Sequence, residues 1–249
     1  MEEADYSYVG SGHLLIKEYG AAAPFLPIGN CSVLNLAPQV NTLQLADFTQ
    51  PGGGVRNRID RISDVQYNFT FHDFNGENFA RFTRGNSSKV IGGTSTAEDV
   101  VAYKGGWSPL AKIASAITSV TGPGGTPVYV ADDDYMLDNG GIYIPADSTL
   151  VDPVSGAANI EVTYSYAAHT VTEAFVNAAK QYTMEFVGLN EARSGKAVRI
   201  TAHKISGGVI GTLGLLGEDY GAGEVTGSLM ADTSKGVGLS RYFQVVVVD

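Results

Sequence analysis

The residues best suited to chemistry in this chain are few and scattered. Four histidines, His13, His72, His169 and His203, stand far apart, and none sits at the i+4 spacing or in the HExxH pattern that puts two imidazoles on one metal. The densest set of oxygen ligands is Asp132-Asp133-Asp134 with Asp138 and Asn139. Such a set invites calcium, but the EF-hand spacing fails at its third ligand position, Met136, and the terminal glutamate is missing; an ordinary acidic turn is the competing expectation. Glu218-Asp219 has the residue types of a glycosidase pair, yet neighbours on a strand point to opposite faces, which predicts a turn instead. There is no GxSxG elbow, no P-loop lysine and no GxGxxG after a strand, and Gly221-Ala222-Gly223 reads as a turn before Glu224. Cys31 is the single cysteine, which excludes an intrachain disulfide and a thiolate cluster. The expectation is a protein that is not an enzyme, with no catalytic, cofactor-binding or metal-binding residue.

The elements that would position any site are mostly strands. In Ser63 to Gly85, Val65, Tyr67, Phe69 and Phe71 alternate with Gln66, Asn68, Thr70 and His72, the period of a strand with one buried and one wetted face. Asn75 then reads as an N-cap, Glu77 falls in the first turn where the helix dipole favours negative charge, Phe79 and Phe82 are three apart, and Gly85 marks a stop. Val33 to Ala46 reads as strand, a Pro38 interruption and strand again. It leads to a loop holding Gly52, Gly53 and Gly54, a run expected at a mobile hairpin tip that another molecule can fix. Arg56, Arg58 and Arg61 follow; they are either charges that keep a strand edge from aggregating or a contact to the acidic surface of a second copy.

Composition agrees with a β-dominated chain. The 249 residues include 31 glycines, 13 tyrosines and one tryptophan, the texture of many short strands joined by tight turns. A net charge of −10 argues against holding nucleic acid by its phosphates, since that affinity needs clustered Lys and Arg. The acidic opening Met-Glu-Glu-Ala-Asp is unlike a signal peptide and no apolar run has the length of a bilayer span, so the expectation is a chain kept in the cytosol, without a membrane partner.

Residues 1–24 mix Gly, Ala and Tyr with weak periodicity and read as an extended arm or as a frayed terminus, ending at the Pro24 to Pro27 break. Ser108-Pro109 begins a run through Leu110, Ile113 and Ile117 that reads as helix or as extended chain. From Thr121 to Tyr166 the texture is that of a small all-β insertion, with Asn139-Gly140 as a hairpin turn. Glu173 to Gln181 reads as a short helical connector or a strand with a helical flank, and the remainder as strand after strand, closing on the apolar Tyr242 to Val248.

Four blocks, VQYNFTFHDFNGENFARFTRG, FVGLNEARSGKAVRITAHK (Phe186 to Lys204), LLGEDYGAGEVTGSLMADTSKG (Leu215 to Gly236) and the closing SRYFQVVVVD, follow one another in an order that resembles the major tail tube proteins of long-tailed, siphovirus-like bacteriophages. The resemblance covers about half of the chain and rests on order, not on any catalytic motif. It implies an antiparallel β-sandwich or barrel with a short flanking helix, in hexameric rings whose sheets join into a continuous β-barrel tube. It further implies a virion protein of the tail, assembled in the host cytoplasm, that pairs with itself and with other tail proteins at the tube ends while DNA passes through without specific binding. On that reading the tube core comprises residues 25–104 and 169–249, and residues 105–168 form an inserted β-rich subdomain. The arm and the loop at Gly52, Gly53, Gly54, Arg56 and Arg58 become inter-ring contacts, and Gln66, Asn68, Thr70 and His72 become a polar face of the wall.

A second reading from a different class is a β-sandwich binding module, an adhesin, receptor-binding or capsid-decorating protein. Its ligand-facing aromatic set would be Tyr129, Tyr135, Tyr143, Tyr164 and Tyr166, residues that on strands also serve as half-buried packing.

Overall fold

The computed structural model describes residues 5–248. The chain is mainly β and divides into two compact units, one made of the residues up to Ser87 and from Thr172 onward, the other of Ser88–Val171. In chain order the strands are β1 (Gly10–Glu18), β2 (Leu26–Gly29), β3 (Cys31–Ala46), β4 (Val55–Phe71), β5 (Asn86–Val90), β6 (Gly93–Val100), β7 (Gly106–Ser108), β8 (Ala114–Thr121), β9 (Met136–Asp138), β10 (Gly141–Ile144), β11 (Ile160–Tyr166), β12 (His169–Glu173), β13 (Gln181–Asn190), β14 (Lys196–Ser206), β15 (Val209–Gly214), β16 (Ala222–Ser228) and β17 (Phe243–Val247). The helix α1 spans Gly76–Phe82. Strands β5 and β12, where the chain leaves the first unit and returns, pair with each other.

The first unit holds two antiparallel sheets, in the orders β17-β14-β13-β1-β2 and β15-β16-β4-β3. Both contribute to one core: Leu14, Ile16, Ile28, Met184, Ala202 and Ile205 from the first, Val65, Tyr67, Phe69, Phe71 and Val225 from the second. The period of two in β4 does what it predicts, since those four odd-numbered side chains are buried while Gln66 and Asn68 are exposed. Tyr67 carries a hydroxyl into this core and satisfies it across the layers, donating to the Ser206 carbonyl at 2.9 Å. No sheet closes into a barrel among the described residues.

Helix α1 covers one end of that core. Asn75 caps it by accepting from the Asn78 backbone N–H at 2.9 Å, Glu77 lies in the first turn, and Phe82 reaches the core with its ring 5.3 Å from that of Phe69, edge to face. The helix ends one step before the expected glycine stop: Thr83 closes it with an N–H to the Phe79 carbonyl, and Arg84 takes the left-handed conformation at φ 52°. Asn78 is buried and donates from Nδ2 to the Ile28 and Asp73 carbonyls at 2.7 and 2.9 Å, tying the helix to β2.

The second unit has two three-stranded antiparallel sheets, β7-β10-β9 and β6-β11-β8, around a core that includes Val120, Ile142, Ile144, Leu150, Ile160, Val162 and Tyr164. Asn139 and Gly140 join β9 to β10 with both φ angles positive, the twist that a two-residue hairpin requires.

Three expectations change. Residues 10–18, expected within an arm, form β1 in the interior of the five-stranded sheet, with Leu14 and Ile16 buried; glycine and the Leu14-Leu15-Ile16 run hide the alternation. Residues 1–4 lie outside the described residues. The inserted unit begins at Ser88, ahead of the expected residue 105, because β6 pairs with β11 and not with the first unit's sheets. Finally, the segment before Gln181 is irregular and not helical, whereas the run after Pro109 takes the extended of its two readings and enters β8 at Ala114.

Candidate functional site: a polar sheet face and a projecting hairpin

The outward face of β4 is mostly polar. Across β3, β4 and β16 the register sets Asn35, Asn68 and Thr226 in one row, Ala37, Gln66 and Ser228 in the next, and Val33, Thr70 and Glu224 on the other side. Asn35 Nδ2 donates to Asn68 Oδ1 at 2.8 Å. His72 is held at the end of the strand by Ser32 Oγ at 2.9 Å and the Gly221 carbonyl at 3.1 Å. The three rows carry one carboxylate, Glu224, and no Lys or Arg. A phosphate meeting this face finds amides and hydroxyls, with no cation to hold it. Thus Gln66, Asn68 and Thr70 share a face, with His72 just past its end.

Beyond Asp64 the same two strands run on as a hairpin. Every residue from Val55 to Ser63 is exposed, so the ribbon is wetted on both sides. Its apolar residues nevertheless stand in opposed pairs, Leu43 with Ile59 and Val40 with Ile62, each side chain about half exposed or more. The tip is Gly52-Gly53-Gly54, all with positive φ and with open space where a Cβ would stand. Arg58 is not a free cation: its Nε lies 3.0 Å from Asp60 Oδ1, and Thr42 Oγ1 donates to the same oxygen at 2.6 Å, so hydrogen bonds from Thr42 and then Arg58 hold the Asp60 carboxyl below its usual range. Arg56 is exposed and, among the described residues, has no carboxylate within ion-pair distance. Ile59 and Ile62 stand three apart, so on a strand they face opposite sides of the ribbon, and no period of two in the sequence marks the pairs.

The other candidates fall to structural roles. Asp134 is buried, and its carboxylate accepts from the backbone N–H of Val130 and Thr149 and from the hydroxyls of Thr149 and Ser148, at 2.8 to 3.2 Å. These bonds, the backbone pair foremost, pull its pKa down to about 2 and turn both oxygens toward the protein's own donors. Among the described residues no three His, Cys, Asp or Glu side chains converge as metal ligands. Tyr129, Tyr135 and Tyr164 are buried in the second unit's core and Tyr143 and Tyr166 are half-buried, which removes the exposed aromatic set of the binding-module reading. Burial and then the nearby Asp73 push the Cys31 thiol up to about 11, far from a reactive thiolate. Glu218-Asp219 lies in the exposed turn between β15 and β16. Among the described residues no helix is long and apolar enough to cross a membrane.

A search of the curated proteins finds no match to this chain. A family model described as protein of unknown function UCP028589 matches residues 7–246, which span both units, and the chain belongs to that family.

Proposed function

We propose that this protein is the wall of a bacteriophage tail: a major tail tube protein that assembles with copies of itself into stacked hexameric rings and performs no chemistry. The observation that carries the reading is the hairpin of β3 and β4, where opposed apolar pairs stand about half exposed on a ribbon with no further strand beside it among the described residues. Surface of this kind is what a subunit buries on a neighbour. Two further features support it. Strand β17 is an edge with Val245, Val246 and Val247 exposed, a row of backbone donors and acceptors that a neighbour's strand can extend. The cation-free face of Gln66, Asn68, Thr70 and His72 has the chemistry a conduit for DNA needs, since it leaves the passing phosphates unbound.

On this reading the partners are further copies in the ring and in the next ring, and other tail proteins at the two ends. Negative-stain microscopy of the purified protein, with mass measured by light scattering, tests it. Rings or tubes of constant diameter are the expected result; a monomer at high concentration, also in the presence of tail-initiating proteins, overturns it.

A further inference from the structure

A cleft of about 400 Å³ opens in the first unit beside the C-terminal end of α1, lined by Lys17, Glu18, Arg81, Arg84, Lys180 and Tyr182 among others. Four bases and one acid meet there, in a chain whose net charge is −10. Lys180 Nζ takes the Glu18 carboxylate at 3.0 Å, which leaves Lys17, Arg81 and Arg84 with no carboxylate within ion-pair distance among the described residues. Lys17 lies instead over the ring of Phe25. Arg81 has only a long bond from Nη1 to Asn78 Oδ1, 3.4 Å, and burial lowers its pKa. Arg84 is the more unusual: its Nε is buried with no hydrogen-bond partner, and its Nη2 reaches only the Gly207 carbonyl, at 3.4 Å. A guanidinium edge withheld from water and left unpaired is costly. Arg84 thus leaves a positive charge at the cleft that no carboxylate answers among the described residues.

The chain carries a segment of complementary chemistry elsewhere. Leu215 to Tyr220, LLGEDY, turns between β15 and β16 with Leu216 and Tyr220 almost fully exposed and Glu218-Asp219 between them. It cannot reach its own cleft. Gly207 lines the cleft at the start of β15, and the turn lies past the other end of that strand, roughly 20 Å away at the rise of extended chain. A donor and a receptor at opposite ends of one strand define a head-to-tail contact, the kind that closes into a ring or runs on into a filament.

We infer that the cleft at Arg81 and Arg84 is a receptor for the Glu218 and Asp219 carboxylates of a second copy of this chain. The inference rests on the self-assembly proposed above and names one of its contacts. Two full-length variants test it, Arg81→Glu with Arg84→Glu, and Glu218→Arg with Asp219→Arg. Each alone weakens assembly at least tenfold by light scattering, and mixing the two restores it, because every interface then joins opposite charges. Rescue on mixing also shows that both variants fold. A synthetic peptide of residues 213–222 binds the wild-type protein and not the cleft variant, whether or not rings form, which separates this contact from the tube reading. Wild-type rings that both variants reproduce unchanged overturn the inference and leave the tube reading standing. Inorganic phosphate bound in the cleft, with no peptide binding, overturns it in favour of a small-anion site.

Discussion

Gly223 and Phe71 face each other directly across the β16–β4 pair, and the Phe71 ring occupies the place where a Cβ on residue 223 would stand. Phe71 is completely buried and touches Phe82 of α1, with ring centroids 5.4 Å apart, so it cannot move aside. The glycine is thus what lets the aromatic row of β4 lie flat under the neighbouring strand. Gly227 does the same for Tyr67, whose Oη lies 2.6 Å from a Cβ position there.

Gly223→Val is therefore expected to destabilise the first unit by about 1–3 kcal/mol, the cost of overpacking a closed core. Thermal melts followed in the near-ultraviolet, where the β4 tyrosine and phenylalanines report, check this; an unchanged melt would show that the aromatic row has room to shift.

Asp134 gives the second unit an acid limb. Its folded carboxyl titrates near 2 against an ordinary value of 3.8, so its stabilisation is complete above the ordinary value and is lost as pH falls from about 4 to 2. Asp134→Asn removes a charge-assisted acceptor from four donors and is expected to cost about 1–3 kcal/mol at neutral pH and to flatten that limb. Urea titrations at pH 7 and pH 3 would read both effects, and equal losses at the two pH values would contradict the assignment.

Leu43→Gln with Ile59→Gln should cost the isolated subunit no more than about 1 kcal/mol, because both side chains are about half exposed and lose only their contact across the strands. Assembly should fall sharply. A double variant that forms rings as readily as the wild type would deny the hairpin its role.

Gln66→Lys with Asn68→Lys puts two cations on the polar face. On the proposed tube reading, tubes are expected still to form and DNA retention on them to rise with a steep dependence on salt. If such tubes release DNA as the wild type does, this face does not line the conduit.

Replacing residues 91–168 by a short Gly-Ser linker is expected to leave the first unit folded, because β5 and β12 already lie side by side at the crossing and each unit has its own core. Amide exchange in the remaining sheets would show the core protected. Loss of protection in β4 and β13 would mean that the units fold only together.

Much of this was readable from residue order. The alternation of Val65 to Phe71, the Asn75 cap and the Asn139-Gly140 turn each depend on neighbours in sequence, and each is found. What escaped depends on pairing between distant segments. Gly10–Glu18 looks like an arm until β13 lies beside it, and Gly93–Val100 looks like part of the first unit until β11 claims it. The cleft was the least legible part, since Arg81 and Arg84 meet Lys180 across nearly a hundred residues and nothing local marks an arginine that lacks its counter-ion.

The three glycines at the hairpin tip carry a further meaning. With open space around each, the tip must be immobilised by whatever it meets, at roughly 1–2 kcal/mol of backbone entropy per residue. A bond that begins with such a loss is feeble singly and strong only in numbers. In the tube proposed above, a growing wall held by bonds of that kind would shed a misplaced subunit before its neighbours arrive, so fidelity of growth would come from looseness of the part and permanence from the completed ring.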